Sequence, residues 1–379
     1  MAEVEVVHPS ELGPGELRAW ASFQAATPEL GNPLLSSEFA RLVGDLRTDA
    51  RVAVWRSEGR TAGFLGFHKT LGNFARPLGA PFCDYHALVS APGLMRRPDD
   101  PLAAAGLHGM RLSGLVDPYR LFPHDLDAAP AHRIDLSEGA DTYLDWLWEA
   151  SRNRSRNFKR YSRQLAKSLG PLRIEGPDAS PETFERLIAW KRSQLTATGL
   201  HDFTTSAWGA KLFRRLFESP DPAFGGLMIS LYAGDTPVAA HFGLRRGDWY
   251  HPWIGAYDPQ LAGFSPGVVH QVLAAEAAGS LGIRLYDLGP HADHYKSAFA
   301  NVTSVVREGL AASRTLPGRL AMSSERMLAP SGGLSVLGHL RNRWDHVSAL
   351  EPTLGGRIAG LASAASAIER RIEAWTHAA

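Results

Sequence analysis

Cysteine is almost absent from this chain, and so are long apolar runs and an excess of charge of one sign. The 379 residues include a single cysteine, Cys83. One thiol excludes an intramolecular disulfide and a cysteine-cluster metal site, and it is typical of a reducing compartment, so we expect a cytoplasmic protein. No stretch of about 18 apolar residues occurs, so we expect no transmembrane helix. The first residues are acidic, whereas a signal peptide would begin with basic ones.

The charge balance is nearly neutral. Lysine and arginine number 40 and aspartate and glutamate 39, which gives a net charge of +1. A basic field over the whole protein is therefore missing, and we expect no DNA partner. Hydrophobic residues make up 44% and charged residues 21%, as in ordinary folded proteins. At about 100–200 residues per domain, the length predicts two domains.

Two segments about half a chain apart resemble each other. The first has apolar runs at Val52–Trp55 and Ala62–Phe67 around a turn that contains Gly59. The second has runs at Leu227–Tyr232 and Val238–Phe242 around a Gly-Asp turn. Each pattern predicts a β-hairpin, and the pair indicates a duplicated unit, although hairpins are common enough for a chance match.

The second half alternates between helical and strand patterns, so we expect an α/β fold. We place domains at residues 1–138 and 139–310, followed by a helical C-terminal extension at 311–379 that the α/β fold does not need. The extension contains an Ala- and Arg-rich helix, Leu354–Trp375, with an apolar stripe that is typical of a partner or membrane contact. The predicted elements of the second half are helices at Asp141–Leu169, Phe184–Leu195, Ala207–Phe217 and Val268–Ala278, and strands at 249–256, 283–287 and 303–308.

A Gly/Pro-rich loop leads into the helix that begins near Val268. The loop is Gly255–Gly267 and includes Tyr257, Phe264, Ser265 and Gly267. A strand, a tight loop and a helix N-terminus together bring free backbone N–H groups to one point. These five residues are therefore candidates to bind a pyrophosphate, as in a coenzyme A donor. An ordinary strand-to-helix turn is the commoner explanation of the same pattern.

Candidate acid–base residues follow the next strand. Asp287 ends that strand and is a candidate general base for an amine, or else a cap of the helix that begins near His291. Tyr295 is a candidate proton donor to a leaving thiolate. Lys296 is a candidate to stabilise a carbonyl oxyanion or a substrate phosphate, or else a solvated charge.

Histidines are the remaining candidates for chemistry. His241, which we include among the catalytic candidates, and His251 lie on two arms of one predicted hairpin, with Asp248 in the turn. A one-residue change of register would put them on opposite faces. Strand histidines without a third ligand are more often polar core residues, and His291 and His294 lack the glutamate of a zincin motif, so we expect no metal.

The segment from residue 151 to 167 carries seven basic residues and no acid. Arg152, Arg156 and Arg160 share one helical face and are candidates to bind a phosphate-bearing ligand. A solvated surface is the default explanation of such a run. Mutual repulsion among the seven cations favours a bound polyanion instead.

Two motifs resemble a known family. Leu285–Gly289 followed by His294–Phe299, and Ala256–Pro259 followed by Phe264–Gly267, are similar to GNAT-superfamily acyltransferases of the cellulose-biosynthesis CelD/BcsL type. That type is related to the FemAB peptidoglycan aminoacyltransferases. The basic helix is similar to the start of the family pattern, and the resemblance covers about residues 150–308.

The resemblance implies two tandem GNAT-like domains of the FemAB kind, with mixed central sheets flanked by helices. It implies acyl transfer onto sugar-containing acceptors of cell-surface polymers, and it puts Lys296 in an active-site Phe/Tyr-Lys-x-x-Phe element. The usual pyrophosphate loop is not intact, because Gln260–Ser265 is only a degenerate version.

We therefore expect an N-acyltransferase that uses acetyl-CoA or another acyl-CoA, with the donor near residues 257–268. The expected acceptor is an amino sugar or a lipid-linked oligosaccharide, held in a cleft between the domains, in exopolysaccharide or holdfast-type polymer synthesis. The C-terminal helix is expected to allow peripheral contact with the inner membrane. One alternative is a catalytically degenerate binding protein for cyclic di-GMP. Another is a FemAB-like aminoacyl-tRNA-dependent transferase, which the neutral charge disfavours.

Overall fold

The computed structural model describes residues 3–93, 100–122, 125–198, 202–291, 294–328, 344–345 and 347–351. These residues form two compact units. Unit 1 takes the described residues up to Pro130 together with those from Val305 onward, and unit 2 takes Ala131–Ser304.

The described residues contain thirteen β-strands. In chain order they are β1 Glu3–Val7, β2 Ala50–Ser57, β3 Arg60–Lys69, β4 Phe74–Pro77, β5 Leu88–Ser90, β6 Gly109–Leu115, β7 Asp127–Asp135, β8 Leu172–Glu175, β9 Gly225–Ala233, β10 Thr236–Arg246, β11 Trp249–Tyr257, β12 Leu285–Pro290 and β13 Val302–Ala312.

They also contain ten α-helices, and the longest are in unit 2. In chain order they are α1 Pro14–Ala26, α2 Ser37–Leu46, α3 Pro101–Ala104, α4 Ala140–Ala150, α5 Arg152–Leu169, α6 Pro181–Thr198, α7 Ala207–Phe217, α8 Pro266–Ala277, α9 His294–Phe299 and α10 Leu316–Leu328. Among the helices of the described residues, none has both the length and the apolar character needed to cross a membrane.

The two units share one strand order. The sheet of unit 1 runs β1-β2-β3-β4-β6-β13, and that of unit 2 runs β8-β9-β10-β11-β12-β7. Each sheet has a single parallel pair among these neighbours, β4 with β6 and β11 with β12, and the other neighbours for which the register is given are antiparallel. The predicted α/β fold with two similar units is confirmed.

Both predicted hairpins are present. The turn between β2 and β3 uses left-handed backbone at Glu58 (φ 53°) and Gly59 (φ 75°), which suits a tight hairpin turn. The turn between β9 and β10 has Gly234 at φ 58°. A side chain at Gly234 would come within 2.5 Å of the Leu169 carbonyl oxygen, so glycine is required there.

The predicted helical segment Asp141–Leu169 consists of two helices. Ser151 has extended backbone between α4 and α5, and its side-chain oxygen accepts a hydrogen bond from the Arg154 N–H at 3.3 Å. A serine in this position is a favourable N-cap, so it begins a new helix instead of continuing the old one. Helix α5 ends at Leu169, as predicted, and Gly170 follows it with a φ of 113°.

The sheet of unit 2 is covered on both faces. Phe242 of β10 packs against Phe184 of α6, whereas the preceding residue, His241, contacts His270 of α8. Because neighbouring strand residues point to opposite faces, α6 and α8 lie on opposite sides of the sheet. All nine residues of β9 are buried, as expected of a strand between two helical layers.

The last described residues are part of unit 1. Strand β13 pairs with β6, and Arg111 of β6 forms an ion pair with Glu325 of α10. Val347 and Leu350 are fully buried. These residues therefore contribute to the core of unit 1. The predicted helix Leu354–Trp375 lies outside the described residues.

Candidate active site

Strands β11 and β12 separate soon after they meet. They pair in parallel at Trp249 with Leu285 and at Tyr250 with Tyr286. Strand β11 then continues to Tyr257 and β12 to Pro290. Strands that diverge leave backbone groups and side chains accessible between them, so this gap is the natural place to look for a site in unit 2.

Polar side chains lie on the α8 face of this gap. His241 Nδ1 and the Tyr286 hydroxyl are 2.7 Å apart, and the His241 and His270 rings are 4.2 Å apart. His270 Nε2 donates to the Ile229 carbonyl oxygen at 2.8 Å, while its Nδ1 is buried without a hydrogen-bond partner. Burial holds the pKa of His241 well below 6.5 and lowers that of His270 to about 4. Both imidazoles are therefore neutral at pH 7.

Gly255 makes room for the His241 ring. It lies opposite His241 in the β10–β11 register. A Cβ at this position would be 2.9 Å from His241 Nε2 and 2.8 Å from Cδ2. A side chain here would therefore displace the imidazole.

Tyr295 and Lys296 lie near the same gap. The Tyr295 hydroxyl donates to Gln271 Oε1 of α8 at 2.8 Å, and about a third of the residue (36%) is exposed. Lys296 Nζ donates to the Pro290 carbonyl oxygen at 2.7 Å, at the end of β12. Gln271 of α8 thus contacts the partly exposed side chain of Tyr295, and Lys296 puts a positive charge at the end of β12.

Asp287 lies on the opposite face of the sheet. It follows Tyr286, so its side chain points away from His241. Its carboxylate is fully buried and accepts hydrogen bonds from Trp249 Nε1 at 3.2 Å and from the Gly289 N–H at 2.8 Å. His251 Nδ1 is 3.6 Å away, on the same face. The hydrogen bonds given for Asp287 are thus made on the face opposite His241, with Trp249 of β11 and with Gly289 of its own strand.

The start of α8 brings several predicted donor-binding residues together. Ser265, at φ 46°, precedes the first helical residue. The ring of Tyr257 lies over Gly267, 3.4 Å from where a Cβ would be. The side chains of Ser265 and Arg160 both hydrogen-bond to the Tyr161 hydroxyl and lower its pKa. A cation and a helix N-terminus are therefore neighbours, which suits an anionic ligand.

Other predicted residues are placed differently. The side chains of Phe264 and Val268 pack against core clusters of unit 2, so only their backbone is available at the start of α8. Arg152 and Arg156 are exposed on α5, and Arg156 donates to Asn153. A side chain of α5 that does reach another element is Arg154, whose guanidinium is 5.6 Å from the centre of the Phe299 ring.

Several residues of the site were missed by sequence reasoning. His270 and Gln271 stand in the middle of an apolar helix, and Tyr286 stands in an apolar strand. A polar residue within an apolar segment is expected to be buried with a hydrogen-bond partner, and this pattern could have identified the three residues. Lys191 of α6 and His132 of β7 gave no such signal, because nothing in their local pattern sets them apart. Among the described residues, no group of three or more His, Cys, Asp or Glu side chains could hold a metal ion.

In unit 1 the corresponding gap is filled. Strands β4 and β6 also pair at only two positions. However, β5 pairs with the first part of β3, and His86 bridges to the end of β6 through the Gly114 carbonyl and the Val116 N–H. A Cβ on Gly114 would meet the Asp84 carbonyl oxygen at 2.0 Å. The chain itself thus occupies the space beside this short parallel pair of unit 1.

Comparison with known proteins agrees with this geometry. Residues 152–297 match the family model Acetyltransf_6, described as an acetyltransferase (GNAT) domain. The crystal structure of FemX superposes with a TM-score of 0.54 at 12% identity, over 85% of this chain and 100% of FemX, which supports the shared fold. A tandem GNAT protein from the clavulanic acid biosynthesis pathway gives a TM-score of 0.42 at 13% identity, over 82% of this chain and 97% of that one. No curated protein sequence matches this chain.

Proposed function

We propose that unit 2 transfers an acyl group from a thioester donor, such as acyl-CoA, to an amine. The observation that carries this proposal is the short β11–β12 pair, with neutral His241 on its α8 face and with Tyr295 and Lys296 on the helix that follows β12, all inside the segment matched by the GNAT family model. Acyl transfer to an amine needs a proton acceptor, a proton donor and positive charge near the developing oxyanion. These three side chains supply those groups.

The donor-binding residues are those at the start of α8. A coenzyme A donor carries a pyrophosphate, which Arg160 and the N-terminal N–H groups of α8 would bind. Gly267 leaves the backbone accessible beside Tyr257. The residues present therefore fit an acyl-CoA, even though the loop of Gln260–Ser265 departs from the usual pattern.

His241 is the proposed proton acceptor. When Nδ1–H donates to the Tyr286 oxygen, the lone pair on Nε2 is available to an amine. The low pKa keeps this nitrogen unprotonated at pH 7. Because burial also raises the pKa of Tyr286 well above 10, Tyr286 keeps its proton and holds the ring in place.

Tyr295 and Lys296 act on the donor side of the reaction. Tyr295 is the proposed proton donor to the leaving thiolate, since its hydroxyl reaches both Gln271 and solvent. Lys296 stabilises negative charge on the carbonyl oxygen, and the Pro290 carbonyl fixes its ammonium group.

For the acceptor we propose an amino sugar of a surface-polysaccharide precursor. The support for this class is the resemblance of residues 150–308 to CelD/BcsL-type acyltransferases. The amine of an amino sugar becomes a nucleophile when it loses a proton, and His241 would accept that proton.

The test is a direct assay of donor binding and turnover. Calorimetry should detect binding of acetyl-CoA to the protein. When glucosamine is added to the protein and acetyl-CoA, free thiol should be released and a product with the mass of acetylated glucosamine should form. His241→Phe keeps a ring of similar size but removes both nitrogens, so turnover should fall at least about 100-fold, as expected for loss of a general base, while acetyl-CoA still binds. Absence of binding for acetyl-CoA and longer acyl-CoAs would contradict the proposal.

A further inference from the structure

Two basic side chains of unit 2 lie at the end of β12. Lys296 Nζ is held by the Pro290 carbonyl oxygen at 2.7 Å. His132 of β7 lies opposite Gly289, the residue before Pro290, in the β7–β12 register. The two groups are close enough for the positive charge of Lys296 to help burial lower the pKa of His132.

Lys191 is a third basic group near this point. It lies on α6, which packs against β11, and it is partly buried. Burial and then the charge of Lys296 lower the pKa of Lys191, and the charge of Lys191 in turn helps to lower that of His241. Lys191 is thus within electrostatic range of both Lys296 and the proposed proton acceptor.

The two lysines donate to neutral oxygens. Lys191 Nζ donates to Gln194 Oε1 at 3.2 Å, and Lys296 Nζ donates to a backbone carbonyl. Neither acceptor carries a negative charge, so these contacts leave the two positive charges uncompensated. Like charges within electrostatic range of one another repel, and a bound anion would relieve that repulsion.

His132 provides an independent sign of a ligand. The residue is 5% exposed, and its Nδ1 is 3.3 Å from the Thr303 hydroxyl. Its Nε2 is buried without a hydrogen-bond partner. Buried polar groups normally have a partner, and a ligand oxygen at this nitrogen would supply one.

We propose that His132 and Lys191, beside Lys296, form a subsite for an anionic group, a phosphate or a carboxylate, carried by the acceptor. The role of the acceptor rests on the acyl transfer proposed above, because Lys191 links this subsite to His241. Lysine binds both anions as a point charge, so the side chains themselves do not select between them. The preferred acceptor is then an acidic amino sugar rather than a neutral one.

The experiment follows the imidazole signal of His132 by NMR in the full-length chain labelled with ¹³C-histidine, assigned with His132→Gln. Inorganic phosphate and sodium acetate are titrated separately at constant pH and ionic strength, with chloride as the reference. We expect a saturable shift of the His132 signal with at least one anion. A response to phosphate alone identifies a phosphate group, and a response to acetate alone identifies a carboxylate.

Variants then connect the shift to Lys191. Lys191→Met should weaken the apparent anion affinity at least tenfold, and Lys191→Arg should restore most of it. Lys211→Met, on the exposed side of α7, should leave it unchanged. No saturable shift relative to chloride, or the same affinity in Lys191→Met, would overturn the subsite. The NMR titration contains no acyl donor, so it is independent of the thiol-release assay of acyl transfer. If the protein releases thiol but the His132 signal does not shift, only the subsite is refuted.

Discussion

At the scale of single residues, the position of His241 depends on a side chain that is missing from the neighbouring strand. Gly255 lies opposite it and leaves the space that the imidazole occupies. His241 in turn contacts Tyr286 and His270, so the glycine controls the geometry of three polar groups. A small change at Gly255 should therefore affect catalysis without touching the donor site.

We expect Gly255→Ala to lower kcat for acyl transfer about 10- to 100-fold while the Kd for acetyl-CoA changes less than about twofold, because a displaced base loses its catalytic geometry. The measurements are thiol-release kinetics and calorimetry. Gly279→Ala is the matched control, since a Cβ there meets nothing within 4 Å. Equal kcat in both variants would argue that His241 takes no part in the reaction.

The buried histidines also make stability depend on pH. Burial lowers the pKa of His270 to about 4, whereas an unfolded chain has a histidine pKa near 6.5. Below about pH 6.5 the unfolded chain binds a proton that the folded chain excludes, so the free energy of unfolding decreases as the pH falls. At pH 5 the loss is about 2 kcal/mol from this residue, and above pH 7 it vanishes.

Urea unfolding at pH 7 and pH 5, followed by tryptophan fluorescence, measures this loss. The glutamine in His270→Gln cannot be protonated. The decrease in the free energy of unfolding from pH 7 to pH 5 should therefore be about 2 kcal/mol smaller in this variant than in the unmodified chain. An unchanged pH dependence in the variant would mean that the folded protein protonates His270 readily.

At the scale of elements, α5 and α8 together form the proposed donor site. Helix α5 packs against α8 and against the segment Pro259–Phe264 that precedes it. This packing puts Arg160 and Tyr161 beside Ser265. The basic helix therefore has at least one cation at the start of α8, whereas the role predicted for Arg152 and Arg156 remains a prediction.

Arg160→Ala should weaken acetyl-CoA binding about fivefold, roughly 1 kcal/mol, because an exposed charge-assisted contact to a phosphate is lost. Lys167→Ala, in the last turn of the same helix, is the control with the same change of charge and should bind as tightly as the unmodified chain. Calorimetry at two salt concentrations measures both. Identical affinities would place the pyrophosphate elsewhere.

At the scale of the whole molecule, the two units have the same strand order but differ beside their parallel strand pair. In unit 1, β5 and the residues around His86 lie beside the short β4–β6 pair, and in unit 2 the polar side chains of His241 and Tyr286 lie beside the short β11–β12 pair. Unit 1 also depends on residues far along the chain, because β13 pairs with β6 and Val347 and Leu350 are buried. Its core is therefore complete only after the chain has passed through unit 2.

Truncation after Ser313 should destabilise unit 1 by about 3–6 kcal/mol, because burial of Val347 and Leu350 contributes about 1.5–3 kcal/mol each. Thermal and urea unfolding of the purified chains test this. A chain that ends at Glu351 is the control and should keep the unfolding midpoint of the full chain. If the chain ending at Ser313 is equally stable, residues 314–351 are dispensable and the extension is separate, as expected from the sequence.

The sequence by itself determined the features that depend on neighbouring residues. The turn at Glu58–Gly59, the helix Ala207–Phe217 and the glycine that ends α5 follow from local backbone preferences and from periodicity, and the structure has them as predicted. The resemblance in residues 150–308 likewise placed the GNAT domain where the family model matches. The contact between Ser265 and the basic helix was not predicted from the sequence, because it depends on how α5 packs against α8.

Only the tertiary structure decided which candidates meet. Tyr286 and Asp287 are adjacent in sequence, yet one contacts His241 and the other is buried with Trp249 and His251 on the far face. A strand alternates its side chains, so one residue of register separates the two outcomes, and pairing with distant strands fixes that register. Lys191 and His132 come within electrostatic range of Lys296 for the same reason, since long-range packing rather than local pattern brings these basic groups together.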